Sequence, residues 1–414
     1  MPIDQSLAIR AGRCFTPHAP VDERTLFAGR MDQVMAVCDA VLQRGQHAIL
    51  YGERGVGKTS LACVLSEFLD FLPVDRLLCP RVNCDRRDTF GSVWRKLLEE
   101  IVLVADRRRV GFAEAFDQEV TRGSDLLGDN PGPDSVRKVL TRLAAQAPPI
   151  LIVDEFDRVP TAEKNAFADL IKMLSDHAVG ATVILVGVAD SVDELIAEHE
   201  SVERALVQVR MRRMSADEIG KIIDTGVREL EVEIEPAATE QIVRLSQGIP
   251  HYAHLLGLHS VRAAAQRRAR GCIRIGDVTD ALRRALDHAQ QSIRSAFFKA
   301  TESPRADSLH RQVLCACAIA RVDELGYFSA ADIRQPMRRI TGRDYGVSAF
   351  ARHLKEFCGE RRGPVLRRVG SPRRYRYRFR NPLLQPFTIM TGLASGLLSS
   401  DMVPTNGPAV DESR

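Results

Sequence analysis

The stretch HAILYGERGVGKTSLACVL, residues 47–65, restricts the fold more than anything else in the chain. An apolar run, His47 to Tyr51, feeds G-x-x-x-x-G-K-T, and a helical pattern follows without a break. Strand, glycine-rich loop and helix in that order make a phosphate cradle. The glycines let the backbone wrap tightly enough to aim successive N–H groups at phosphate oxygens, and the helix N-terminus adds partial positive charge. The cradle comprises Gly52, Glu53, Arg54, Gly55, Val56, Gly57, Lys58, Thr59 and Ser60. Lys58 is placed to reach the β- and γ-phosphates of a nucleotide, and the Thr59 hydroxyl to hold Mg²⁺, so the implied cofactors are ATP and Mg²⁺. Such a loop belongs to a parallel sheet flanked by helices, which makes the expected class α/β.

Nearly a hundred residues on, PPILIVDEFDRVP carries four apolar residues, Ile150 to Val153, into Asp154-Glu155. Carboxylates at the C-terminal edge of a buried parallel strand stand where ligands bind in such sheets. Asp154 is expected to complete the metal shell and Glu155 to act as general base on the attacking water. A third strand, ATVILVGVAD, ends at Asp190. Asp190, or Ser191 beside it, is a candidate for sensing the γ-phosphate, and a plain strand cap is the competing reading. Arg204 follows Ser201-Val202-Glu203 and precedes a strand-like run. The polar stretch 104–135, ending Asn130-Pro131-Gly132-Pro133, reads as an insertion or mobile connection.

From Ser215 to about Lys299 the patterns are helical, opened by the capping-box spelling SADE. Beyond 305, three helical stretches precede two strands in GPVLRRVGSPRRYRYRFR, joined at Gly370-Ser371-Pro372, which spells a winged helix. In that hairpin Arg374, Arg376, Arg378 and Arg380 alternate with Tyr375, Tyr377 and Phe379, so arginines and aromatics face opposite ways. Charge supports a polyanion-facing module: residues 301–390 hold 18 Lys/Arg against 8 Asp/Glu, while the whole chain is only +4. Arg352 and Lys355 on the third helix, with Arg367, Arg368, Arg374, Arg376 and Arg378, are the candidate contacts to double-stranded DNA. An acidic protein partner, the ATPase domain itself, or solvent alone would also accept such a face.

At 414 residues and 45% hydrophobic composition the chain is long and apolar enough for two or three cores, which excludes a disordered protein. No apolar run approaches the ~20 residues of a membrane span, and no leader-like N-terminus is present, so a cytoplasmic protein without membrane contact is expected. The nine cysteines form no C-x-x-C pair; reduced, mostly buried thiols are expected rather than a zinc ribbon or disulfide framework.

Phe27-Ala28-Gly29-Arg30, the strand ending Val82-Asn83-Cys84, the Asp-Glu pair and ESVERAL, taken in order, resemble AAA+ ATPases of the origin-recognition initiator clade, specifically bacterial relatives. The resemblance runs from about 24 to 390. It implies a P-loop NTPase sheet with a helical AAA+ lid and a C-terminal winged-helix domain. The segments are then 1–23 as an N-terminal segment, 24–214 as the nucleotide-binding domain, 215–300 as the lid, 305–390 as the winged helix and 391–414 as a disordered tail. It also makes Arg204 an arginine finger acting on a neighbouring subunit, hence a homo-oligomer, although Arg204 paired with Glu200 or Glu203 is the plainer reading and Arg210, Arg212 and Arg213 compete for the role. The sequence departs from the clade in two places. Asp190 stands where the clade has Asn, and His251 where the lid has Arg. Gly248-Ile249-Pro250 instead resembles the G-x-P element of STAND signalling ATPases, in which the proline lies against the nucleotide. Two functions follow: an ATP-driven switch that oligomerises and binds DNA, or a STAND-like signalling ATPase acting through separately encoded protein partners in a defence or mobile-element system.

Overall fold

The computed structural model of the chain describes residues 5–21, 27, 29–69, 78–108, 116–196, 202–267, 271–304, 308–323, 325–372 and 374–405. Helices α1 (Gln5–Cys14) and α2 (Met31–Leu42) precede β1 (His47–Gly52) and α3 (Lys58–Phe68), which flank the glycine loop. Then follow β2 (Arg81–Asn83), α4 (Phe90–Glu99), β3 (Val102–Arg108), β4 (Phe116–Arg122), α5 (Pro133–Ala144), β5 (Ile150–Asp154), α6 (Thr161–Asp176), β6 (Thr182–Val188) and β7 (Leu206–Arg210). Five of these strands form one parallel sheet in the order β2-β5-β6-β1-β7.

Both faces of that sheet are covered, which is why β5 and β6 read as unbroken apolar runs. Alternation still sorts side chains by face: Ile49, Leu151 and Val153 pack with Trp94, Phe156 and Phe167 under α4, α5 and α6. Their neighbours Leu50, Ile150 and Ile152 pack with Val34, Leu61 and Val64 of α2 and α3. Within the 104–135 stretch, expected to be a connection, β3 and β4 pair antiparallel from Val102↔Arg122 to Arg108↔Phe116. The sheet itself ends at β2 and β7, so this hairpin is an appendage after α4 and adds nothing to the strand order.

The remaining elements are α7 (Ala216–Glu229), β8 (Glu233–Ile234), α8 (Pro236–Ser246), α9 (Pro250–Gln266), β9 (Cys272–Ile273), α10 (Ile275–Asp287), α11 (Gln291–Thr301), α12 (His310–Ala318), β10 (Phe328–Ser329), α13 (Arg334–Thr341), α14 (Val347–Phe357), β11 (Leu366–Val369), β12 (Arg376–Phe379) and α15 (Leu384–Ala394). Ser215 caps α7 and its box is closed by Glu218. Strands β10, β12 and β11 form a separate antiparallel sheet in that order, with Tyr377 and Phe379 turned into the core. One apolar core runs unbroken from Ile219 in α7 through Phe350 in α14 to Val403, so helices α7 to α11 and the C-terminal module are packed as one body.

The disordered tail expected over 391–414 is corrected by this core for 391–405, and the rest of it lies outside the described residues. Helix α15 runs to Ala394, and Leu384, Phe387, Ile389 and Met390 are buried, as are Leu398 and Val403 beyond it. Small residues there allow close packing against α10, α11 and α12, and their polarity in sequence hid a buried helix. All nine cysteines are free, four of them fully buried. Among the described residues no helix is long and apolar enough to cross a membrane.

Candidate nucleotide-binding site

Register brings the chemistry to one edge of the sheet. Gly52 at the end of β1 is level with Val188 of β6, and Asn83 at the end of β2 with Asp154 of β5. Gly52 has φ 151°, and a side chain there would put its Cβ 2.2 Å from Met211 O, so the loop can leave the strand only as glycine. Gly57, the residue before α3, has φ 96° and nothing within 4 Å of where a Cβ would be, which leaves backbone open to a ligand. A cavity of about 850 Å³ opens at this edge, lined by Arg54, Gly55, Gly57, Lys58, Thr59, Ser60, Asp154, Glu155 and Pro250.

Lys58 is buried; its Nζ donates to Gly52 O at 3.0 Å and Glu53 O at 2.7 Å. Burial lowers its pKa to about 8, against the pull of the Asp157, Asp154 and Glu53 carboxylates. Asp154 is 2% exposed. Its Oδ1 accepts the Glu155 amide at 2.8 Å, and Oδ2 is buried without a hydrogen bond, 3.7 Å from Arg81 Nη1. Glu155 adopts φ 54° in the left-handed region, rare outside glycine, and its Oε2 lies 3.1 Å from Arg158 Nη1. Val56 is fully buried, so its side chain does not face the cavity.

Several lining groups were not singled out in the sequence. The segment Thr16–Val21 forms one wall: Val21 N donates to Ser60 Oγ at 3.2 Å, His251 Nδ1 to Pro17 O at 2.6 Å, and Thr16 N to His254 Nδ1 at 3.3 Å. Burial lowers His254 to about 4, so it stays a neutral acceptor near neutrality. Arg30, left-handed at φ 67° and 2% exposed, lines the same cavity. Its Nη2 donates to Val56 O at 3.4 Å and to Arg212 O, while Nε and Nη1 are buried without a hydrogen bond. Burial lowers it to about 10. Asp157, the third acid of the DEFD spelling, also lines the cavity and accepts the Val188 amide at 2.8 Å. No local spelling marks Thr16–Val21 or His254, whereas Gly29-Arg30 and His251 carry a signal in the sequence.

Other candidates lie elsewhere. Asp190, expected at the γ-phosphate, is turned to the C-terminal sheet, where Arg378 Nη2 meets both its oxygens at 2.7 Å and Arg367 Nη1 donates at 3.0 Å. The Glu53 side chain goes the same way, with Oε2 accepting from Arg213 Nε at 2.8 Å. Arg204 sits at the opposite end of the sheet, before the Leu206 that pairs with His47, and Gln46 Nε2 donates to its carbonyl at 2.9 Å. Five strand residues separate that end from Gly52, roughly 16 Å at ~3.3 Å per residue. Its companions Glu200 and Ser201 lie outside the described residues. Of the competing arginines, Arg212 pairs with Glu218 and Arg213 with Glu53. Of the basic comb, Arg376 pairs with Asp323 at 3.0 Å and Arg352 with Glu356 at 2.7 Å. Arg368 stacks 4.2 Å over Tyr375, and Arg374 and Lys355 are exposed.

With this geometry the chain is similar to known proteins. The family model described as Novel STAND NTPase 1 matches residues 18–315, well over half of the chain. Among solved structures, the Walker-type ATPase PABY2304 of Pyrococcus abyssi is 16% identical, with 91% of this chain and 99% of that one covered at a TM-score of 0.52. The ORC2 protein of Aeropyrum pernix, in ADPNP–ADP complexes, is 14% identical over 92% of this chain and 98% of its own, at 0.49. Comparison with curated proteins finds no match. The first likeness is one of fold and agrees with the five-stranded parallel sheet of a P-loop NTPase. The family match takes the STAND side of the sequence resemblance, the side to which Gly248-Ile249-Pro250 pointed, and the chain belongs to the Novel STAND NTPase 1 family.

Proposed function

We propose that this NTPase is an ATP-binding and ATP-hydrolysing switch. The observation that carries the reading is the convergence of Lys58, Thr59, Asp154 and Glu155 on one cavity with the open backbone of Gly57. The residues suit a magnesium nucleotide: Asp154 Oδ2 is buried without a hydrogen-bond donor, and Thr59 lines the same space. When bound, Mg²⁺ supplies charge compensation for the phosphates. Lys58 binds the β- and γ-phosphates, Thr59 and Asp154 hold the metal, and Pro250 and Thr16–Val21 enclose the rest of the nucleotide. Glu155 takes a proton from water as its oxygen attacks the γ-phosphorus and the bond to the bridging oxygen breaks. Asp190 has no part in this, since its carboxylate is held elsewhere.

Arg204 is exposed and about a strand's length from its own cavity, so the site it can serve is that of a second copy, which makes the active form an oligomer. The second reading concerns the C-terminal module. Helices α12 to α14 and the strand order β10-β12-β11 support a winged helix, and exposed Arg361, Arg368, Arg374 and Arg380 with Lys355 give that module positive charge suited to double-stranded DNA backbone. Separately encoded protein partners are the alternative for that face.

Two variants test the switch. Glu155→Gln should keep nanocalorimetric ATP binding while turnover falls by roughly 10²- to 10⁴-fold. Lys58→Ala should show no heat of ATP binding at concentrations that saturate the unaltered protein. Normal turnover in the first, or normal binding in the second, overturns the assignment.

A further inference from the structure

The inference here rests on the reading of the C-terminal hairpin as a DNA-backbone contact, and concerns what holds that hairpin when no DNA is present. Arg367 and Arg378 are directly opposed across the β11–β12 ladder. Like charges so placed repel, and the pair is tolerable only with an anion between them. The anion in this chain is Asp190: Arg378 Nη2 reaches Oδ1 and Oδ2 at 2.7 Å each, and Arg367 Nη1 reaches Oδ2 at 3.0 Å. Two oxygens of one small anion held by two guanidinium groups is also how a DNA phosphate is gripped. Glu194 stands behind, 3.7 Å from Arg367 Nη2.

Arg367 is exposed, and the enclosed half of the contact is the Arg378–Asp190 pair. The Arg378 side chain is 12% exposed, its guanidinium lies 4.7 Å over the Tyr327 ring, and Nη1 donates to Leu325 O at 3.1 Å. Arg378 Nη1 is also 3.9 Å from Oε1 of Glu53, whose other oxygen is bound by Arg213; Arg213 in turn donates to Gln385 of α15 at 2.6 Å. The clasp therefore joins the end of β6, the phosphate loop, the approach to the lid and the C-terminal module. Removing one partner from the Arg378–Asp190 pair leaves a partly buried charge without its counterion, which is unfavourable.

We propose that Asp190 is a phosphate surrogate that masks the hairpin: in the closed chain it occupies Arg367 and Arg378, and duplex DNA must displace it to engage them. DNA binding and detachment of the hairpin from the ATPase sheet are then one event. Because Glu53 belongs to both the phosphate loop and the clasp, the state of the loop bears on how firmly the mask is held.

The test is fluorescence anisotropy of a short labelled duplex titrated with the full chain over a series of salt concentrations. Asp190→Asn should bind 5- to 150-fold tighter than the unaltered protein. Its slope of log affinity against log salt should steepen by roughly 0.9 for each arginine that newly meets a phosphate. Equal affinity and slope in the two proteins, with Arg374→Ala weakening both, would leave DNA binding in place and overturn the mask. Absence of binding in both proteins would overturn the DNA reading itself, and the mask with it. Hydrogen exchange on the unaltered chain gives a measure independent of the variant's folding. Saturating duplex should speed exchange at residues 189–194 and slow it at 366–379; unchanged exchange at 189–194 with the duplex bound overturns the proposal.

Discussion

Lys58 is the residue whose protonation the cavity controls most directly. Burial brings it to about 8, so it is charged below that pH and neutral above, whereas phosphates bind the charged form. Bound phosphates raise its pKa, and binding above pH 8 therefore takes up a proton. The dissociation constant for ATP should be flat below about pH 7 and weaken by up to tenfold per unit above about 8. Calorimetry in two buffers of different ionisation enthalpy reads the proton uptake directly, and an affinity constant up to pH 9.5 would show Lys58 to be charged throughout. Glu155 illustrates a second residue-scale point. Its left-handed backbone is a strained conformation at the end of a buried strand, where the proposed general base would stand and where sequence shows only an acid after an acid.

Helix α1 is the element whose role depends wholly on packing. Phe15, at its end, is 1% exposed and fits a socket made by Gly226 of α7 and Gly257 of α9; a Cβ at either glycine would approach the ring to 2.3 and 2.6 Å. That anchor places Thr16–Val21 against the cavity. Phe15→Ala should cost about 3–5 kcal/mol of local anchoring, and should speed release of a fluorescent nucleotide measured by stopped flow. Release at the unaltered rate would mean that the wall holds without its anchor. The short turn before β7 carries Arg204 at the far end of the sheet from Gly52. Arg204→Ala should lose roughly 10³- to 10⁵-fold in turnover. Part of that loss should return on mixing with Glu155→Gln subunits, since each variant supplies what the other lacks at a shared interface. A mixture with no recovery would place Arg204 outside catalysis in trans.

At the scale of the whole molecule, the lid and the C-terminal module share one core, and α15 closes it. Phe387 packs edge-on to Phe297 of α11, with ring centroids 5.6 Å apart. Phe387→Ala should cost about 3–5 kcal/mol, and chemical denaturation should show lid and C-terminal module unfolding in one transition. Two separate transitions would show that the shared core does not couple them. The ion pairs of Glu53, Arg213, Arg378 and Asp190 tie this body to the phosphate loop and to the end of β6.

What the sequence determined by itself is whatever depends on neighbours along the chain. Gly52 to Ser60 must form a tight loop between strand and helix because glycine spacing and a following helix are local requirements. Asp154-Glu155 must end a buried strand because Ile150–Val153 is apolar throughout. Tyr377 and Phe379 must turn inward because a strand alternates. What only the tertiary structure decided is the pairing of groups far apart in sequence: Asp190 with Arg378, Glu53 with Arg213, Pro17 with His251. Asp190 stood as a candidate γ-phosphate sensor beside the plain strand-cap reading because its strand position was visible and its partner, 188 residues later, was not. The tail read as disordered because α15 has little amphipathic pattern, being buried on nearly every side. Local physics sets backbone shape and side-chain direction, but where a charge finds its counterion is settled only when the chain has closed on itself.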